Sequence, residues 1–175
     1  MSLTLTLPEN YGLVLLSSAV IALQCYFVGF TVAQSKRREY FTQEFLQENF
    51  GEEHKKQFGT TVPQQGYPDH GSGRYSQKLP YKAWFELNNA QRCHQNFLES
   101  VAVLIFGLLI SGLVFPNTAA ILGATHIVGR VFYILGYTTK SGADKRILGA
   151  IIAHGTTLVS LGLAIYSSLK LSNLV

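Results

Sequence analysis

The sequence predicts an all-α membrane protein, an up-down bundle of four transmembrane helices. Four apolar runs, Tyr11–Gln34, about Asn89–Phe115, Ala119–Tyr137 and Ile147–Leu169, reach the ~20 residues a helix needs to cross a hydrocarbon core of ~30 Å. Apolar residues make up 47% of the 175 and charged residues 14%, well below the ~25% of a soluble domain. The last three runs are joined by short connectors, "FPNT" and "TTKSGADKR", which make antiparallel neighbours.

The opening "MSLTLTLPEN" has neither a basic leader nor a cleavage site, so the first run reads as a retained anchor. "SKRR" (Lys36, Arg37, Arg38) closes it. The loop from residue 40 to 85 is long. In "FTQEFLQENFGEEHKKQFG" the residues Phe41, Phe45, Leu46 and Phe50 recur at roughly helical spacing, which predicts a short amphipathic helix on the membrane surface or packed on the bundle. "TTVPQQGYPDHGSGRYSQKLPY" is rich in Gly, Pro and Ser and predicts irregular backbone. Basic residues fall in the first and third loops (Lys36, Arg37, Arg38, Lys55, Lys56, Arg74, Lys78, Lys82, then Lys140, Lys145, Arg146), with only Lys170 opposite. That bias places both loops in the cytoplasm and both termini on the lumenal or intermembrane side.

Other classes are excluded by what the chain lacks. The net charge of +4 belongs to topology; there is no aromatic-basic nucleic-acid motif, no P-loop, no dinucleotide fingerprint and no repeat. Cys25 and Cys93 read as buried free thiols. His54 and His70 have no metal-ligand spacing and read as solvated. His94 is expected to make helix contacts at the interface, and His154, inside the fourth run, to be a hydrogen-bonded core histidine.

The chemistry concentrates on two helices. Arg92, Asn96 and Glu99 follow i, i+4, i+7, so a cation, an amide and a carboxylate share one face of the second. His126, Arg130, Tyr133 and Tyr137 share a face of the third. Glu99 and Arg130 each sit seven residues, roughly 10 Å, inside the cytoplasmic boundary, so the stripes can lie level. One reading is a Glu99–Arg130 ion pair that pins helix register. The other is a ligand pocket, because an ionisable residue inside a membrane helix costs about 2.5–3.5 kcal/mol and is a functional hypothesis by default. The natural ligand is a small zwitterion or anion: Arg holds carboxylates, Glu an ammonium, Asn and Tyr amides and thiols.

"NNAQRCHQNFLE" and "VGRVFYILGY" resemble the two signatures of the membrane-associated proteins in eicosanoid and glutathione metabolism, the MAPEG superfamily. The "QRxHQNxLE" form is similar to the microsomal glutathione transferase type 3 branch. The resemblance implies a homotrimer in the endoplasmic reticulum or mitochondrial membrane. Glutathione, as co-substrate, would bind between subunits near the cytoplasmic face, and a lipophilic second substrate would enter from the lipid. It implies glutathione binding by Arg92, Asn96, Glu99, Arg130, Tyr133 and Tyr137, with Lys36 or Arg37 at the end of the first helix, and thiolate stabilisation by Arg146. Two departures stand out. Ser100 follows the glutamate where leukotriene-synthase-like members have an aromatic residue. Arg146 lies nine residues past Tyr137 rather than seven or eight, an insertion Gly142 can absorb.

The implied reaction needs no metal. A free thiol has a pKa of ~8.5, and a permanent cation near sulfur in a partly dry pocket favours the thiolate. That thiolate attacks an electrophilic lipid or reduces a lipid hydroperoxide. The competing expectation is a non-catalytic MAPEG-like structural or accessory subunit, binding a larger membrane complex through loop 40–85, where extra chain is available for partner contacts.

Overall fold

The computed structural model describes residues 6–65 and 69–175. Among these every regular element is helical. The elements are α1 (Tyr11–Val28), α2 (Gln34–Tyr40), α3 (Gln43–Phe58), α4 (Tyr81–Gly112), α5 (Pro116–Tyr137) and α6 (Ile147–Leu171). A π turn, Gly29–Ala33, joins α1 to α2; 3-10 turns cover Ser76–Lys78 and Gly142–Arg146. Four helical runs, Tyr11–Tyr40, Tyr81–Gly112, Pro116–Tyr137 and Gly142–Leu171, are long and apolar enough to cross a membrane. Their apolar side chains face outward as well as inward: Leu16, Phe106, Ile121 and Leu158 are all at least 60% exposed. In water that surface would be a liability, whereas lipid solvates it. The protein is an integral, multi-pass membrane protein.

The helices exceed the apolar runs. α4 starts at Tyr81 and has 32 residues, about 48 Å at 1.5 Å each. Only the last ~20 residues, from about Cys93, fit a ~30 Å hydrocarbon core ending at Gly112. The polar turns before it stay helical because no Pro or Gly interrupts Tyr81–Phe106.

The chain divides into two compact units, residues 1–26 with 95–175, and 27–94. In the first, small residues let helices approach, the packing lipid favours. A Cβ at Gly123 would meet Ser17 Oγ at 2.5 Å, and one at Gly129 would meet Ile152 Cγ2 at 2.6 Å. Tyr11 Oη donates to the Leu109 carbonyl (3.0 Å) and Gln24 Nε2 to that of Ile127 (3.2 Å). His126, not His154, is the core histidine. His126 is 1% exposed, with Nδ1 3.2 Å from the Ala153 carbonyl and 3.0 Å from Thr156 Oγ1. The inward stripe of α6 is Gly149, Ala153, Thr156, Ser160, Ala164 and Ser167, and one residue on from Ala153 is 100° round the helix. His154 is therefore exposed.

The stretch expected to be a long loop lies in the second unit, and its described residues are folded. α3 is the amphipathic helix the spacing predicts. Leu46 and Phe50 on it join Phe41, Val62 and Leu87 in a buried cluster, with Tyr75 stacked on Phe50 at 4.2 Å between centroids. Thr42 caps its start by accepting from Phe45 N, and Gly59, at φ 70°, closes its end. The irregular chain after α3 is pinned at buried Asp69, whose carboxylate accepts from the backbone N–H groups of Gly71 (2.9 Å), Tyr75 (2.7 Å) and Ser76 (2.8 Å). Trp84 Nε1 and Asn88 Nδ2 both donate to the Gly71 carbonyl. The two cysteines are buried and no disulfide joins them.

Candidate functional site

The stripe on α5 builds a cluster of cations and rings. Arg130 is 1% exposed, its guanidinium carbon 3.9 Å from the Phe97 ring centroid and 4.4 Å from that of Tyr133. Tyr133 and Tyr137, one turn apart, have centroids 5.4 Å from each other. Arg146 comes in from the following turn: its Nη1 donates to Tyr137 Oη at 3.1 Å, and its guanidinium carbon lies 4.9 Å from the Tyr137 centroid and 5.9 Å from that of Tyr133. Two permanent cations thus bracket a tyrosine pair, each held over a ring face, an arrangement worth most where water is excluded.

The extra residues before Arg146 do not carry it away. Gly142, at φ 56°, takes the left-handed backbone that admits the 3-10 turn. That turn packs hard against α5, where Gly136 sits beneath the Lys145 carbonyl with no room for a side chain.

The stripe on α4 points elsewhere. Cys93, Phe97, Leu104 and Leu108 are the inward residues, each fully buried. At 100° per residue, Arg92, Asn96 and Glu99 centre about 120° round the helix from them. Arg92 and Glu99 are exposed and Asn96 half-buried. The Glu99–Arg130 ion pair that equal depth allows is accordingly not formed. The guanidinium is buried over Phe97 while the carboxylate faces out.

The basic residues after α1 are all engaged within their unit. Lys36 Nζ lies 2.8 Å from Glu39 and 2.9 Å from Glu86, and Tyr40 Oη also donates to Glu86. Arg37 contacts the ring of His70 through Nη2. Gln91, its amide oxygen turned toward Arg37, accepts from the same guanidinium. Arg38 lies over Phe30, 5.4 Å from its centroid. His70, expected to be merely solvated, is exposed but bonded. His94 makes the helix contact expected of it: its ring fills the space where a Gly29 side chain would be, 2.6 Å from the Cβ position to Nε2. That contact falls on the π turn, a distortion found often beside functional residues.

Phe97, Glu86, His70 and Gln91 are the residues the sequence reading missed. Glu86 and His70 lie 50 and 33 residues from their partners, with no periodicity to link them. Phe97 had a signal, since it lies between Asn96 and Glu99 in sequence but about 100° or more from both on a helix whose other face must be buried. Among the described residues no three His, Cys, Asp or Glu side chains converge as a metal site.

No curated protein matches the chain. A family model, that of the MAPEG family, matches residues 13–166. That span takes in the second and third membrane helices, all but the ends of the first and fourth, both polar stripes and Arg146, and the chain belongs to the MAPEG family.

Proposed function

We propose that the protein is a glutathione-dependent membrane transferase and peroxidase of the type 3 microsomal branch, acting on lipophilic electrophiles or lipid hydroperoxides. In this reading it is a homotrimer of the endoplasmic reticulum or mitochondrial membrane. The observation that carries the reading is the position of Arg146, hydrogen-bonded to Tyr137 beside Arg130. Two cations that cannot deprotonate flank the Tyr133–Tyr137 pair on the last turns of α5, and such cations stabilise a thiolate. Arg130, Tyr133 and Tyr137 then hold the tripeptide, and Arg146 stabilises the sulfur charge as the proton leaves. The thiolate displaces a leaving group or adds to an electrophilic carbon, forming a thioether. With a hydroperoxide it takes the terminal oxygen, giving an alcohol and a sulfenic acid, and a second glutathione converts that acid to the disulfide and water.

Arg92, Asn96 and Glu99 complete the site from a neighbouring subunit. Support comes from their outward face: Glu99 is about 20 Å along α4 from Gly112, inside the hydrocarbon depth, and a carboxylate there calls for a polar cover. At the end of the first helix, Lys36 is neutralised by Glu39 and Glu86. Arg37 contacts an amide and an imidazole.

Calorimetric titration with glutathione, read together with thiolate absorbance near neutral pH, tests the proposal. The parent should bind and show the thiolate. Arg146→Ala should still bind but show the thiolate only at higher pH, with turnover on a model electrophile down about 10–10³-fold. Arg146→Lys should lose part of it. A parent that binds no glutathione hands the lead to the accessory-subunit reading, which is favoured by one observation, the separate core around Phe41, Leu46 and Phe50.

A further inference from the structure

A cavity of about 370 Å³ opens where α5 ends and α6 begins, lined by Phe132, Leu135, Gly136, Thr139, Ser141, Lys145 and Leu148. It is separate from the cluster described above. At 100° per residue, Phe132, Leu135, Gly136 and Thr139 centre about 140° round α5 from His126, Arg130, Tyr133 and Tyr137. Arg146 turns to the tyrosine side, while its neighbour Lys145 faces the cavity.

The lining is graded along α5. Phe132 and Leu135 lie within the membrane span and are 46% and 60% exposed; Leu148, in the first turn of α6, is 58% exposed. Thr139, Ser141 and Lys145 come after α5 has ended; Thr139 is about 10 Å beyond Phe132 at helical rise, and the Lys145 backbone packs on Gly136, one turn beyond Phe132. Ser141 precedes the 3-10 turn and makes no capping bond, so its hydroxyl is available. Thr139 donates to the Gly136 carbonyl and keeps its lone pairs. From Thr138 to Arg146 the cations Lys140, Lys145 and Arg146 outnumber the one carboxylate, Asp144. Apolar walls below, hydroxyls and an ammonium above, and an open side toward lipid fit a molecule with an acyl chain and an anionic head.

We propose that this cavity is a binding site for an anionic phospholipid. Lys145 pairs with the phosphate, Ser141 donates to it, and an acyl chain runs down over Leu148, Leu135 and Phe132. The site does not depend on the glutathione reading, since it uses none of those residues.

Native mass spectrometry of the detergent-purified protein, titrated with phosphatidylglycerol or phosphatidylcholine of the same chains, tests this. The parent should retain phosphatidylglycerol about fivefold better, the factor a single basic residue near an anionic surface supplies. Lys145→Ala should abolish the preference, and Lys145→Glu should reverse it. Leu148→Trp, at an exposed position, should lower retention of both lipids. Lys170→Ala, at the other end of α6, should change nothing. Equal retention of the two lipids by the parent overturns the proposal, and so does an undiminished preference in Lys145→Ala. Competition by inorganic phosphate as effective as that by the lipid would make this an anion site without a chain. Failure of a membrane-confined maleimide to label Leu135→Cys in the native oligomer would mean that a neighbouring subunit, not lipid, covers the cavity.

Discussion

Gly136→Ala is the smallest change that should move Arg146 without touching it. A Cβ at Gly136 would lie 2.3 Å from the Lys145 carbonyl oxygen, 2.6 Å from its carbon and 2.8 Å from Arg146 N. All three are backbone atoms, so no side chain can swing aside. Restoring ordinary contact at 3.4 Å requires the turn to retreat by about 1 Å, and with it the 3.1 Å bond from Arg146 to Tyr137. Overpacking of this size costs about 1–3 kcal/mol, which in a chain this long lowers the melting temperature by about 2–12 °C. A 1 Å misplacement of a catalytic group costs on the order of 10²-fold in rate. Thermal unfolding in detergent reads the first effect and the thiolate absorbance of bound glutathione the second. Gly155→Ala is the control. Nothing lies within 4 Å of its Cβ position, and replacing a glycine inside a helix by alanine stabilises by about 1 kcal/mol. If Gly136→Ala melts within about a degree of the parent, the close approach of α5 to the turn is not what holds Arg146. If it melts lower but keeps the full thiolate signal, Arg146 is not the group that stabilises sulfur.

Arg92→Ala and Glu99→Ala should each weaken glutathione binding by about thirtyfold or more, the usual loss when one member of a desolvated charged set is removed; parent-like affinity in both would detach the α4 stripe from the site. Membrane-impermeant lysine labelling of sealed vesicles should find Lys36, Lys78 and Lys140 on the cytoplasmic face and Lys170 on the other, and the opposite pattern would invert the topology. Glu44 is held below the usual carboxylate range by its own backbone N–H and then by the Thr42 hydroxyl. Its contribution to the start of α3 is therefore present above the unfolded value of ~4.3 and lost as pH falls through the lower folded value. Amide exchange at Phe45 and Leu46, corrected for intrinsic rate, should rise on acidification below about pH 4 and lose that dependence in Glu44→Gln.

The parts legible in the sequence are those fixed by short range. Apolar runs gave the four membrane helices, and helical spacing gave α3, because one residue every 100° decides which side chains share a face. The same arithmetic placed Arg130, Tyr133 and Tyr137 together, and all three are buried on one side of α5. Contacts between distant segments carry no such period. Nothing near Lys36 announces Glu86, and nothing near Arg37 announces His70. The stretch after α3 is expected to be irregular; residues 66–68 of it lie outside the described residues, and the described ones largely are irregular. Yet a single buried carboxylate, Asp69, orders it by accepting three backbone N–H groups, which composition alone does not reveal.

Periodicity also leaves open which way a face points. Arg92, Asn96 and Glu99 do lie on one face, and so do His126, Arg130, Tyr133 and Tyr137, but the first faces out and the second in. What decides is competition for the interior. Phe97 and Cys93 are also on α4 and gain more from burial than a carboxylate does, so α4 turns them inward and Phe97 takes the place under Arg130 that an ion pair would have had. The turn leaves Glu99 at a depth where lipid cannot solvate it. A subunit that presents a carboxylate there is complete only when something polar covers it, and in the proposed trimer that cover is a neighbour together with the ammonium of glutathione. Binding and assembly are then linked: each should strengthen the other by the same factor. Glutathione should accordingly slow subunit exchange in the parent and leave it unchanged in Glu99→Gln, as mixing of differently labelled preparations would report. Equal exchange rates with and without glutathione in the parent would remove Glu99 from the interface.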